Sequence, residues 1–286
     1  MNSIIKLHTN TFKNINEDFV HASENISFVI DGASGLSGKN HIDGSNDVVW
    51  FVDFWKKHLI SSLENYSFTL EEIVSIGVEK VLSDYKKVVK NFDCIPVFDY
   101  PSASIAIIRR TKLSFEYFVL GDCTAIFKLN NDHRLLKIKD DRVTKFDKRV
   151  ISLIKTRRNA LENNSFEFTK NESEMLLSNR MKKNTDGGYY ILEFDLAAVK
   201  EAITGSIDVK DVGEFIISSD GFSISHETYG IVKEKELFNV LKSEGPNKFI
   251  EKIRRLELQN DSIKRFPRLK IHDDCSVMHY QNLCVI

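Results

Sequence analysis

The chain predicts an α+β fold: a four-layer α-β-β-α sandwich, two stacked and mainly antiparallel sheets flanked by helix pairs. Three observations lead there. Short apolar runs rich in Phe, Ile and Val end on a glycine and an acid at residues 26–32, 117–122 and 215–221. Such runs read as buried strands. Residues 104–110 and 113–120 form a strand pair around the tight turn Arg110-Thr111-Lys112. Helical periodicity comes in pairs, over 47–91 and again over 234–258. Hairpins with paired helices favour α+β over a doubly wound parallel sheet.

The 286 residues allow one large domain or two small ones, and no Pro-rich, Gly/Ser-rich or acidic linker divides them. A single domain over 1–286 is therefore expected. A hydrophobic share of 42%, with 20 Phe, is enough for a sizeable core. Forty Lys plus Arg against 41 Asp plus Glu leave a formal charge of -1. That balance carries no electrostatic footprint for nucleic acid or an anionic membrane. Cys94, Cys123, Cys275 and Cys284 form no CxxC pair. Cys123 and Cys275 lie in apolar runs, where a reduced Cys packs as a small hydrophobe. The first residues lack the apolar region of a signal peptide, and no run is long enough to span a bilayer. A soluble, reduced, cytoplasmic protein is the expectation.

Residues 4–32 read as strands around a turn at 14–18, and 35–45, with three glycines, as a loop. Val48, Phe51, Val52, Trp55 and Leu59 then recur at helical spacing over 47–64, with Asp47 as N-cap. Thr69 with Glu72 forms a capping box, and Ile73, Ile76, Val81, Tyr85 and Val88 carry a second helix to about Asn91. Residues 135–138 predict a further strand. The segment 140–183 is rich in Lys and Arg (Lys145, Lys148, Arg149, Lys155, Arg157, Arg158) with apolar residues between them. It reads as a helix with a solvated basic face; the alternative is a flap or insertion that recruits an acidic or phosphorylated partner. Gly187-Gly188 marks a turn before a strand at 189–194, and Asp195 caps a short helix through Lys200. The strand ending at Asp220-Gly221 follows, then helices at 234–243 and 247–258, then a strand at 275–280 opened by His272-Asp273-Asp274.

Acids recur where these strands leave the core: Glu17 and Asp18 on the first turn, Asp31 before Gly32, Asp122, Asp220, and Asp273-Asp274. Each alone reads as a turn or surface residue. Together they suggest convergence on a hard cation, because Mg²⁺ and Mn²⁺ prefer carboxylate and carbonyl oxygens and like charges on one rim repel unless neutralised. A glycine such as Gly32 lets the backbone come close enough for its carbonyl to serve as a ligand. A structural Ca²⁺ site would satisfy the same electrostatics.

In this order the motifs resemble a known family. Asn16-Glu17-Asp18, Ile30-Asp31-Gly32 with Gly35, Ser102-Ala103-Ser104, Leu120-Gly121-Asp122, Ser219-Asp220-Gly221 and Asp273-Asp274-Cys275-Ser276 resemble those of the metal-dependent protein phosphatases of the protein phosphatase 2C type. Asp140-Asp141-Arg142, Gly187-Gly188-Tyr189 and Pro267-Arg268-Leu269-Lys270 are similar to a bacterial branch. The resemblance implies a signalling enzyme that hydrolyses phosphoserine and phosphothreonine in a phosphorylated protein substrate. It implies two Mn²⁺ or Mg²⁺ ions and a hydroxide bridging them. Asp31 would bridge both ions; Asp220 and Asp273 would complete one; Glu17 and the Gly32 carbonyl would complete the other. Asp18 would orient metal-bound water, and Asp122 with Asp220 would hold a third, looser ion.

Three positions depart from the family pattern. Lys13 stands where a phosphate-gripping Arg is usual, and Lys offers no bidentate fork. Ala33 replaces a His that protonates the leaving oxygen, and Ile224 replaces an acid of the third ion's site. These departures motivate a second reading, a catalytically weak regulatory relative that binds a phosphoprotein or signalling partner. A purely structural Ca²⁺-stabilised module ranks last, because it ignores the ordered motifs. His21, His41, His226 and His272 are expected in plain structural or surface roles.

Overall fold

The structure, a computed structural model, describes residues 3–131, 134–161 and 167–282; Cys284 lies outside them. The strands are β1 (Ser3–Asn10), β2 (Asp18–Ala22), β3 (Ile26–Ala33), β4 (Ser102–Arg110), β5 (Ser114–Leu120), β6 (Thr124–Leu129), β7 (Leu135–Lys139), β8 (Ile203–Asp208), β9 (Val212–Ser218) and β10 (Cys275–Asn282). The helices are α1 (Asp47–Ser62), α2 (Leu70–Val88), α3 (Arg142–Leu161), α4 (Lys170–Arg180), α5 (Leu196–Lys200), α6 (Asp220–Glu227), α7 (Leu237–Ser243), α8 (Pro246–Glu257) and α9 (Ser262–Arg265). The strands form two five-stranded sheets, ordered β1-β10-β9-β6-β7 and β2-β3-β4-β5-β8, with every pairing antiparallel.

Strand alternation builds three apolar interfaces. Phe28 and Ile30 of β3 point to one face, where Phe51, Trp55 and Leu59 of α1 and Ile73, Val74 and Val81 of α2 cover them. Val29, between them in sequence, points to the other face and joins Phe127, Phe215, Ile217, Met278 and Tyr280 from the second sheet. Phe215 and Tyr280 stack there with ring centroids 4.6 Å apart. On the outer face of that sheet Ile126, Ile216 and Val277 meet Phe222 of α6, Phe238 of α7 and Phe249 of α8. A fully buried Phe contributes about 2 kcal/mol, so these interfaces hold the layers together. The result is the expected α-β-β-α sandwich.

Several elements differ from expectation. Asn46, not Asp47, caps α1: its side chain accepts from the Val48 and Val49 amides. Asp47 instead turns back into the loop before α1. It accepts from the His41 and Ile42 amides at 2.9 Å and from the Tyr85 hydroxyl at 2.8 Å. Residues 189–194 form no strand. They contribute only isolated bridges, Leu192 with Ala103 and Tyr189 with Lys183. The segment after Asp140 is two helices, α3 and α4, rather than one; Thr169 and Glu172 close a second capping box at the start of α4. Thr69 and Glu72 cap α2 as expected, and Asp195 caps α5. Cys123 and Cys275 are buried free thiols. Among the described residues no helix is long and apolar enough to cross a membrane.

Asp47 is 5% exposed, so truncating it leaves one buried and two half-buried donors without their acceptor. Asp47→Ala should lower the unfolding free energy in urea by about 2–4 kcal/mol, and Tyr85→Phe by about 1 kcal/mol. A loss for Asp47→Ala within the roughly 0.5 kcal/mol typical of surface substitutions contradicts this role.

Candidate active site

Sheet register sets the site. Asp18 opens β2 opposite Asp31 of β3, and Asp31 lies opposite Ser104 of β4. Ser104 donates its hydroxyl to Asp122 Oδ1 at 2.5 Å, fixing the acid just after β5. From the other sheet, β9 ends and α6 begins at Asp220, whose backbone N–H points to Asp31 Oδ2 at 3.4 Å. Gly221 follows because backbone must pass closely there: a Cβ would collide with the Asp274 carbonyl. Gly32 is similarly constrained, since its Cβ would lie 2.6 Å from the Glu17 carbonyl oxygen. The Gly32 amide donates to that same oxygen at 3.1 Å, tying the first acidic turn to β3.

Asp31, Gly32, Asp122, Asp220 and Asp273 line one cavity of about 360 Å³. Its roof comes from α3 and α4, with Phe146, Asp147 and Arg180, and from Tyr189 and Ile191. Lys13 and Glu17 stand beside it. The Lys13 ammonium donates to Glu17 Oε2 and Asp274 Oδ2, each at 2.9 Å, and lies 3.6 Å from Asp273 Oδ1. Ser34 donates to Glu17 Oε1 at 2.5 Å, and Lys270 holds Asp273 through both oxygens at 2.8 and 2.7 Å. Asp18 is buried behind the cavity, 6% exposed. No histidine lines the cavity among the described residues.

The electrostatics follow from dense negative charge in poor solvent. Burial raises the Asp31 pKa well above the ordinary value, and Asp18, Asp220, Asp122 and Asp273 add repulsion. Burial likewise lifts Asp220 well above its usual range, with Asp273 and Asp122 adding to it. Asp18 is pushed up to about 7, by burial first and then by Asp274 and Asp273. Asp147 of α3 also rises to about 7, through burial and the neighbouring Asp122. Asp273 goes the other way: burial opposes its ionisation, but the Lys270 ammonium outweighs that and holds its pKa below normal. For Lys270, burial works against the charge, yet Asp273, Asp220 and Asp31 raise its pKa well above normal.

Both carboxylate oxygens of Asp18, Oδ1 of Asp220 and Oδ1 of Asp274 are buried without a hydrogen-bond partner among the described residues. Orphaned, oxygen-only donors beside other carboxylates fit a hard divalent ion. As the side chains stand, no three His, Cys, Asp or Glu among the described residues close into a metal-holding group. Lys13 and Lys270 instead engage Glu17 and Asp273. Lys270, Asp147 and Arg180 were not singled out as site residues from the sequence. Lys270 ends the motif Pro267-Arg268-Leu269-Lys270, whereas nothing local marks the other two; only the packing of α3 and α4 brings them here.

No protein-family model matches the chain, and no curated protein matches it. Solved structures do. The Mycobacterium tuberculosis serine/threonine phosphatase PstP superposes over 98% of this chain and 98% of its own, with TM-score 0.55 and 14% identity. The catalytic domain of PstP in complex with two manganese ions gives TM-score 0.53 at 13% identity, covering 98% of this chain and 97% of that one. The serine/threonine phosphatase Stp1 from Staphylococcus aureus gives 0.54 at 13%, covering 98% and 94%. The chain thus has the fold of these bacterial phosphatases along nearly its whole length, as the order of motifs anticipates.

The raised Asp31 pKa has a thermodynamic consequence. Below its ordinary value of 3.8 the group is neutral in both states. Above that pH the unfolded chain ionises while the folded chain resists, so the wild type loses stability as pH rises toward the folded value. Asp31→Asn removes this loss. In chelator, its stability relative to wild type should climb as pH is raised from about 4 toward neutrality, as read from urea unfolding. A difference that stays flat across that range contradicts the assignment.

Proposed function

We propose that the chain is a metal-dependent serine/threonine protein phosphatase acting on phosphoserine and phosphothreonine. The observation that carries this reading is the convergence of Asp31, Asp122, Asp220 and Asp273, from four separate parts of the chain, on one cavity. Asp31 would bridge two Mn²⁺ or Mg²⁺ ions, with Glu17 and the Gly32 carbonyl on one side and Asp220 and Asp273 on the other. Asp122 would hold a third, weaker ion. When bound, such ions act as Lewis acids that polarise water and phosphoryl oxygens near neutral pH.

The chain's own groups do the remaining work. Asp18, with two unpaired oxygens, would orient water at the site. Lys13 and Lys270 keep Glu17 and Asp273 in place and offset part of the repulsion. The α3–α4 roof shields the cavity and gives the substrate a wall to rest on. Ala33 supplies no proton, so the leaving oxygen takes one from solvent, and good leaving groups should react faster. The same reading makes the protein a cytoplasmic signalling enzyme of bacterial type whose partner is a phosphorylated protein.

One observation favours the catalytically weak regulatory alternative: two acids of the set are already engaged by lysines, and no closed three-acid group stands ready. Hydrolysis of p-nitrophenyl phosphate and of a phosphothreonine peptide with Mn²⁺ separates the two. Wild type should turn over both in a metal-dependent way. Asp31→Ala and Asp220→Asn should each lower kcat by about three orders of magnitude, the scale of several kcal/mol of lost charge stabilisation. Wild-type rates no higher than those of Asp220→Asn would replace the enzyme with the regulatory reading.

A further inference from the structure

The cavity roof carries a guanidinium that the fold leaves unused. Arg180 ends α4 and lines the cavity opposite Asp31, Asp122, Asp220 and Asp273. It is half-buried. Among the described residues its charge is felt by Asp147, Tyr189 and Glu193, but no hydrogen bond or close ion pair takes up its N–H donors. Several other half-buried or buried arginines have their donors taken up. Arg109 pairs with Glu116, Arg142 with Asp140, Arg157 with Glu172, Arg254 with Glu257, and Arg268 donates to backbone carbonyls. Arg180 is held in place by its neighbours rather than by its own charge. The Asn179 amide donates to the Phe146 carbonyl and ties α4 to α3, and the buried Lys183–Glu193 pair anchors the chain just beyond. The last turn of α4 favours a cation there, but that field uses none of the five N–H donors.

A partly desolvated guanidinium without an acceptor is costly, and its planar fork matches the oxygens of a phosphoryl group. The other cations of the site cannot serve this way. Lys13 donates to Glu17 and Asp274, and Lys270 to Asp273. Neither offers a fork. We propose that Arg180 is a phosphate-binding residue, gripping from the roof the phosphoryl group of a phosphoserine or phosphothreonine side chain. This rests on the phosphatase reading only for the identity of the substrate. The flap helices then contribute to recognition directly, in place of the cation that Lys13 cannot present.

The test is calorimetric titration of inorganic phosphate into the Mn²⁺-treated protein, for wild type, Arg180→Ala and Arg180→Lys, with Mn²⁺ affinity and urea midpoint measured beside it. Wild type should bind phosphate. Arg180→Ala should weaken that binding about tenfold or more, the scale of a lost charge-assisted hydrogen bond. Arg180→Lys should recover part of it, and Mn²⁺ affinity should be unchanged. On a phosphothreonine peptide KM should rise more than kcat falls. Unchanged phosphate affinity in Arg180→Ala, or a wild type that binds no phosphate, overturns the proposal. Should Arg180→Ala fail to fold, a phosphate affinity in Arg180→Lys equal to wild type overturns it, and one weakened several-fold supports it. If phosphate binding depends on Arg180 while no peptide is hydrolysed, the phosphatase reading falls and the binding role stands.

Discussion

Repulsion among buried and half-buried carboxylates is the constraint on which the rest of the structure depends. Asp18, Asp31, Asp122 and Asp220 face one another in poor solvent, and burial plus mutual charge raise the pKa values of Asp18, Asp31 and Asp220. No fold would gather them for stability. Apolar burial in three interfaces must outweigh their cost, and the two sheets supply it. Two lysines relieve part of the strain, Lys13 at Glu17 and Asp274 and Lys270 at Asp273. The orphaned oxygens of Asp18 and Asp220 remain, and a hard cation would satisfy them on the proposed reading.

The sheets make this gathering rigid. Antiparallel register sets Asp18 against Asp31 and Asp31 against Ser104, so a slip of one residue would turn each of them to the opposite face. The second sheet delivers Asp220 and Asp273 at the ends of neighbouring strands β9 and β10, with Gly221 permitting the close approach. The roof of α3 and α4 is joined to this frame by Arg142, which donates to Glu201, by Phe146 packed against Tyr189 and Ile191, and by Lys183 with Glu193 and Tyr100 just beyond α4.

Much of the frame was legible in the sequence because its signals are local. Thr69 and Glu72 announced α2, and the apolar runs ending on Asp31 and Asp220 marked β3 and β9. Other features depend on tertiary packing. β8 reads Ile-Thr-Gly-Ser-Ile-Asp, an edge strand too polar and too open to show a pattern. α6 starts on the same Asp220 that closes the strand signal, and eight residues are too few for clear helical periodicity. Residues 189–194 looked like a strand but find only isolated bridges to Ala103 and Lys183, because packing against the roof replaces a ladder. Asp47 looked like a cap, yet the Tyr85 hydroxyl and two loop amides claim it, and Asn46 one residue earlier takes the cap. For the site, the acids were readable from their placement at strand ends. Asp147, Arg180 and the pairing of Lys270 with Asp273 were not, since each arises from segments brought together only by folding.

The most direct test of the central claim is anomalous scattering from a manganese-soaked crystal. Convergence around cations predicts strong peaks between Asp31 and Asp220, with oxygens of Glu17, Gly32 and Asp273 within ligand distance. Peaks only at the protein surface would contradict it.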